Sequence, residues 1–217
     1  MNGAECLSSA ELKTRFLKRL GEKLSAFGFK PRIREQRFVK PIPLGSWVFH
    51  AAFAPIPTGF EVSVDVGSRV GFIEEAVHRH SRISDKLKKQ TVTVGAELGN
   101  IADRRPRYWA VRSEDDLDEV VRSIVQQFQQ WGLPYLERLS DPDLLIEELG
   151  RTDEGAWIVN PLPELRFQRA VALAMTRGLS DRARDLARTG EQVLTQRRDP
   201  AVNRFREFAR ALLGISD

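Results

Sequence analysis

Trp47-Val48-Phe49-His50-Ala51-Ala52-Phe53 and Phe60-Glu61-Val62-Ser63-Val64-Asp65-Val66 are the stretches that decide the fold. In the first, Trp47, Phe49, Ala51 and Phe53 share one side of an extended chain. In the second, Phe60, Val62, Val64 and Val66 alternate with Glu61, Ser63 and Asp65. Successive strand side chains point to opposite faces, so a period of two predicts half-buried antiparallel strands. Pro55-Ile56-Pro57-Thr58-Gly59 lies between them and denies regular pairing, which predicts the turn. Arg37 to Lys40 reads as an earlier strand, and Thr91-Val92-Thr93-Val94 and Tyr108-Trp109-Ala110-Val111 as later ones. The sheet then has about five strands, an ordinary size.

Helical spacing takes over on either side. Ser8-Ser9-Ala10-Glu11 has capping-box spacing, Leu12, Phe16, Leu20, Leu24 and Phe27 recur at helical intervals, and Gly28 offers a left-handed stop, which predicts a helix over 9–27. Residues 72–89 read as a short helix or irregular segment. Ser113 is placed to cap a helix whose first turn carries Glu114, Asp115 and Asp116 and whose buried stripe is Leu117, Val120, Val121, Ile124, Val125 and Phe128. Gly132-Leu133-Pro134 is expected to end it. Asp141-Pro142, Asn160-Pro161 and Asp199-Pro200 each put a capping side chain before a proline, which predicts three helix starts. Ser180 or Asp181 opens another helix, along which Ala183, Leu186, Ala187, Gly190, Val193 and Leu194 form a stripe small enough for close helix contact. The fold class is therefore α+β: an antiparallel sheet of about five strands flanked by helices over residues 1–150, with a helical C-terminal extension over 151–217 packed on it. Residues 9–149 are expected to form a shared core and to leave their polar side chains outside.

Leu24-Ser25-Ala26-Phe27-Gly28-Phe29-Lys30-Pro31, Arg37-Phe38, Gly45-Ser46-Trp47-Val48-Phe49 and Phe60 to Gly67 together resemble the bacterial family called domain of unknown function 4304. The later run is similar too, with Trp109-Ala110-Val111 before an acid-capped helix and Gly132-Leu133-Pro134-Tyr135-Leu136-Glu137 after it. The resemblance covers residues 9–149 and rests on apolar and turn positions. It implies an α+β fold with an antiparallel sheet, and it brings no activity, substrate or cofactor.

The composition of the 217 residues, 41% hydrophobic and 29% charged, is that of an ordinary globular chain. The 34 basic residues nearly match the 30 acidic ones, so the net charge of +4 is compatible with nucleic-acid binding without favouring it. Cys6 is the only cysteine, which excludes an internal disulfide, and no secretory signal pattern is present; a cytoplasmic address is expected. The longest apolar run, Ala170 to Met175, falls far short of the ~18 residues that span a bilayer.

Candidate chemistry is sparse. His78-Arg79-His80 with His50 is the only metal-like grouping, but helical residues two apart diverge by roughly 200°, so no metal site is expected. Glu61 and Asp65 share a strand face, yet four strand residues span roughly 13 Å, beyond the ~5–9.5 Å of paired catalytic carboxylates. Cys6 has no neighbouring base to activate it. Gly95-Ala96-Glu97-Leu98-Gly99-Asn100 matches no phosphate-binding fingerprint and reads as a loop. Lys86, Lys88, Lys89, Arg104, Arg105, Arg107 and Arg112, with Tyr108 and Trp109 among them, form a basic stretch suited to single-stranded nucleic acid, although Tyr108 and Trp109 point to opposite faces and at least one is expected to be buried. His50, Glu97 and Asp103 are the residues an enzyme would draw on. The expected function is a non-enzymatic binding module, without cofactor or metal, whose partner is another protein. Its contact surface is the flat acidic face of Glu61, Ser63 and Asp65 or the groove between sheet and helical tail. Nucleic-acid binding through Arg104, Arg105 and Arg107 is the alternative, and an enzyme with a site dispersed in sequence the third.

Overall fold

Ser8 and Glu11 make the exchange their spacing predicts. The Ser8 hydroxyl accepts from the Glu11 N–H at 3.3 Å, and the Ser8 N–H donates to Glu11 Oε2 at 3.0 Å. In the computed structural model, which describes residues 8–79 and 84–214, they open α1 (Ser9–Leu24). A 3-10 turn over Ser25–Phe27 follows, and Gly28 then takes a φ of 82°. Along the chain come β1 (Lys30–Arg32), a 3-10 turn (Ile33–Glu35), β2 (Arg37–Ile42), β3 (Gly45–Pro55), β4 (Phe60–Arg69), α2 (Gly71–His78), α3 (Asp85–Lys88), β5 (Val94–Glu97), α4 (Leu98–Asp103) and β6 (Trp109–Val111). The rest is helical: α5 (Asp116–Gln127), a π turn (Phe128–Gly132), α6 (Leu133–Arg138), α7 (Pro142–Leu149), α8 (Ala156–Val159), α9 (Pro163–Thr176), α10 (Ser180–Gln196) and α11 (Val202–Leu213). The protein is α+β, with strand order β1-β2-β3-β4-β5 and β6 also paired to β4. No described helix is long and apolar enough to cross a membrane.

The chain divides into two compact units, and the first holds the chain up to Ile42, Ser46–Val66 and Glu97–Leu136. β1 pairs antiparallel with β2, Lys30 opposite Val39, and β4 pairs antiparallel with β6, Phe60 opposite Val111. The predicted apolar face is inside: Trp47, Phe49, Ala51, Phe60, Val62, Val64 and Val66 are buried beside Phe16 and Leu20 of α1 and Ile124 of α5. Edge-to-face rings fill this core, Phe49 meeting Phe128 at 5.4 Å and Phe16 meeting Phe60 at 5.8 Å. Gly59 is required at the turn, because at its φ of 90° an added Cβ would lie 1.9 Å from the Val111 carbonyl oxygen.

Three local expectations for this unit are corrected. β1 was not signalled, since its residues are all exposed and carry no alternation. The acidic helix starts at Asp116 rather than on a Ser113 cap, because Asp116 Oδ2 gathers the N–H groups of Arg112 at 2.7 Å and Ser113 at 2.8 Å. Gly132-Leu133-Pro134 does not end that helix; the wide π turn lets the chain continue into α6, accommodating a proline that has no N–H to donate and a ring that crowds a normal turn.

The second unit comprises Pro43–Gly45, Gly67–Ala96 and the chain from Glu137 onward. Here the predicted strand Thr91–Val94 begins only at Val94, and the predicted loop over 95–100 is the end of β5 and the start of α4. Thr93 explains the shift. Its N–H donates to the Ser68 carbonyl at 2.8 Å, and its hydroxyl accepts from the Val70 N–H and donates to Glu74, so it serves a polar cluster rather than a ladder. Asp141 caps α7 as expected, accepting from the N–H groups of Asp143 and Leu144. Asn160 and Asp199 instead accept from the residue two ahead, Leu162 and Ala201, forming tight turns that delay α9 and α11 to Pro163 and Val202. The small-residue stripe of α10 acts as predicted, since a Cβ on Gly190 would lie 2.7 Å from the Phe205 ring of α11 and 2.8 Å from Phe167 Cβ of α9.

Candidate functional site

Helix α9 is buried almost all round, yet it carries Glu164, Arg166, Gln168 and Arg169 at no more than 8% exposure. Buried polar groups are costly unless matched, so each partner has to be traced. Glu164 receives Arg204, whose Nε lies at 2.5 Å, and the Gln168 amide at 3.3 Å. Arg169 makes a fork-to-fork pair with Glu74 of α2, Nε to Oε1 at 2.8 Å and an NH2 nitrogen to Oε2 at 2.9 Å. The Thr93 hydroxyl adds a bond to Glu74 at 3.0 Å, His78 Nε2 lies 3.6 Å from that carboxylate, and Arg69 stands 4.0 Å away. Glu74 is fully buried, which corrects the expectation that polar side chains before residue 149 form an exterior. Burial pushes the Glu74 pKa up, but the Arg169 charge and the bonds from Arg169 and the threonines hold it below the ordinary carboxylate value. Burial drives the His78 pKa down, helped by Arg69, Arg169 and Lys88 and opposed by Glu74.

Arg166 is the exception on this helix. It is 4% exposed, its Nε is buried without a hydrogen-bond partner, and among the described residues no carboxylate pairs with its guanidinium. The Phe167 ring, 5.2 Å from its Cζ, supplies only a weak cation–π contact. Burial, the nearby charge of Arg197 and, against some attraction to Asp153, the charge of Arg151 lower its pKa to about 10, which leaves it a cation at neutral pH. Asp153 is already engaged: Arg151 grips both of its oxygens, at 2.8 and 3.0 Å, and the Gly155 N–H donates to it at 2.8 Å. Arg151 also reaches Glu148, which in turn takes Arg138.

Arg166 lines a cavity of about 400 Å³, within the size range of ligand sites, together with Arg197, Asp153, Glu154, Trp157 and Asn160. Asn160 Oδ1 is used by the Leu162 N–H at 2.9 Å, which leaves its amide NH2 as a donor for another acceptor. Trp157 is 47% exposed at this wall. The arrangement combines a desolvated cation, a second guanidinium, an amide donor and an aromatic surface. It suits an anion.

The residues singled out in the sequence lie elsewhere. Glu61, Ser63 and Asp65 share the outward face of β4 but are half-buried, and Asp65 faces His50 of β3 across 3.4 Å. Glu97 caps α4, accepting from the N–H groups of Gly99, Asn100 and Arg107 at 3.0 to 3.2 Å, and Asp103 pairs with Arg107, so both have structural duties. Arg107 is also bound to Gln127, whereas Arg104, Arg105 and Arg112 are exposed. Trp109 packs on the core with its Nε1–H donating to Ser123, while Tyr108 is 60% exposed, the opposite-face arrangement their adjacency predicts. In the second unit Lys88 pairs with Asp85, and Lys86 and Lys89 are exposed. Cys6 and His80 lie outside the described residues, among which no group of three or more potential ligands is placed to hold a metal. Arg166 escaped notice because a charged residue at helical spacing ordinarily marks a solvated face; the only available signal was its place four residues before the apolar run 170–175 on a helix whose opposite side is also apolar. Compared with family models, curated proteins and solved structures, the chain matches none.

Proposed function

We propose that the protein is a non-enzymatic binding module that recognises an anionic group of a protein partner, with Arg166 as the binding residue and Arg197 and Asn160 assisting. The observation that supports this reading is the buried, unpaired guanidinium at a cavity wall. A cation largely removed from water, attracted only by an Asp153 that Arg151 already holds, destabilises the fold, and an anion that enters the cavity compensates it. The acidic strand face of Glu61, Ser63 and Asp65 is a poorer candidate because it is half-buried and Asp65 already faces His50. Nucleic-acid binding is weaker still, since Arg107, Lys88 and Trp109 have partners within the fold. Membership of the domain of unknown function 4304 family is part of the same proposal and rests on the apolar and turn positions quoted above.

Arg166→Met separates a binding arginine from a structural one. In buffer free of carboxylate and phosphate the variant is expected to be more stable by about 1–4 kcal/mol, because it removes a buried charge that no hydrogen-bonded carboxylate balances while keeping most of the side-chain volume. In calorimetric titration with sodium acetate it is expected to lose the heat of binding that the native chain gives. A variant that is less stable and binds as before would sink the reading.

A further inference from the structure

We infer that the ligand of the Arg166 cavity is a monocarboxylate carried next to an aromatic or apolar group, as on an acidic side chain flanked by an apolar residue. The inference rests on the anion-binding reading above and narrows it to a chemical class. Of the four charged residues lining the cavity, Arg166 and Arg197 are positive and Asp153 and Glu154 negative. Asp153 is neutralised outside the cavity by Arg151, so its walls keep an excess of one positive charge. One carboxylate balances that excess. A phosphate dianion overshoots it and brings its second charge against Glu154, where like charges repel.

Donor geometry agrees. The Nε–H of Arg166 is closed off from the cavity, so the guanidinium meets a ligand with its terminal nitrogens, which offer two N–H groups to two carboxylate oxygens. The Asn160 amide adds one donor and Arg197 a longer-range charge, a small set for a tetrahedral anion with three terminal oxygens. Next to the polar floor the wall is apolar: Trp157, half-exposed, and the prolines 161 and 163. A large indole left open to water beside a buried cation suits a ligand whose carboxylate has an aromatic or aliphatic neighbour, because the ring gains stacking area as the charge is neutralised.

Calorimetric titration of the full chain with acetate, phenylacetate and inorganic phosphate as its dianion tests this. The expected order is phenylacetate tighter than acetate by about tenfold, and acetate tighter than phosphate. Arg166→Met should abolish all binding, and Trp157→Ala should remove the advantage of phenylacetate over acetate while acetate binding persists. Phosphate binding as tightly as phenylacetate would overturn the carboxylate inference and leave the anion site standing; no heat from any of the three overturns both. An end-blocked peptide with a single glutamate beside phenylalanine is the last probe. Its binding upholds a protein side chain as the source, and its failure where phenylacetate binds overturns that source in favour of a free small acid.

Discussion

Arg166 and Arg169 occupy one helix three residues apart, and their environments make them opposites. Arg169 meets a carboxylate through two hydrogen bonds in a fully buried setting. Truncating it strands Glu74, so Arg169→Met is expected to cost about 3–5 kcal/mol in urea unfolding, against the gain expected for Arg166→Met. A loss below ~1 kcal/mol would mean that water reaches Glu74 and relieves it. None of this contrast is visible in Glu164-Leu165-Arg166-Phe167-Gln168-Arg169, where the two arginines look alike. The difference lies in a residue 95 positions away, and a single sequence does not tell which distant carboxylate will arrive. Glu97 teaches the same lesson in reverse: a conspicuous acid that its local backbone consumes as a cap.

At the scale of elements, the signals that carry their own geometry were legible. The Ser8 capping box, the Asp141-Pro142 start, the alternation in β3 and β4 and the small stripe of α10 each specify a local contact, and each is found. Asn160-Pro161 and Asp199-Pro200 marked the right neighbourhood but the wrong residue, because an Asn or Asp side chain bonds two residues ahead in a turn as readily as in a helix cap. The π turn was illegible, since Gly-Leu-Pro ordinarily stops a helix and only the packing of Gly132 on Phe128 and Leu98 shows why the chain runs on. The end of α10 gives a prediction. Gly178 closes α9 with a φ of 74°, but at the matching place after α10 Arg198 takes a φ of 53°, a conformation in which its Cβ crowds the carbonyl. Arg198→Gly is expected to raise the urea midpoint by the equivalent of about 0.5–1 kcal/mol with an unchanged slope. A lower midpoint would show that the Arg198 side chain contributes more than its backbone costs.

For the molecule as a whole, the α+β class could be read from periodicity, while the buried polar cluster could not, because its members come from β4, α2, the segment after α3 and α9. That cluster sets the response to acid. His78 and Glu74 both have folded-state pKa values below their ordinary ones of 6.5 and 4.5. For such groups the stabilisation is complete above the ordinary value and fades as pH falls toward the folded one, since the unfolded chain takes up protons first. Unfolding free energy is therefore expected to decline in two stages, the first starting near pH 6.5 through His78 and the second below pH 4.5 through Glu74. His78→Gln should flatten the first stage and leave the second, a difference that urea unfolding followed across this range reads directly. Parallel profiles for the two proteins would assign the first stage to another group.

The pairing of Glu74 with Arg169 has a consequence for synthesis. The carboxylate leaves the ribosome 95 residues before its guanidinium. At ordinary translation rates that is a delay of roughly 5–20 s, during which α2 holds an acid that cannot enter an apolar interior without its mate. The nascent chain must keep that segment wet until α9 emerges.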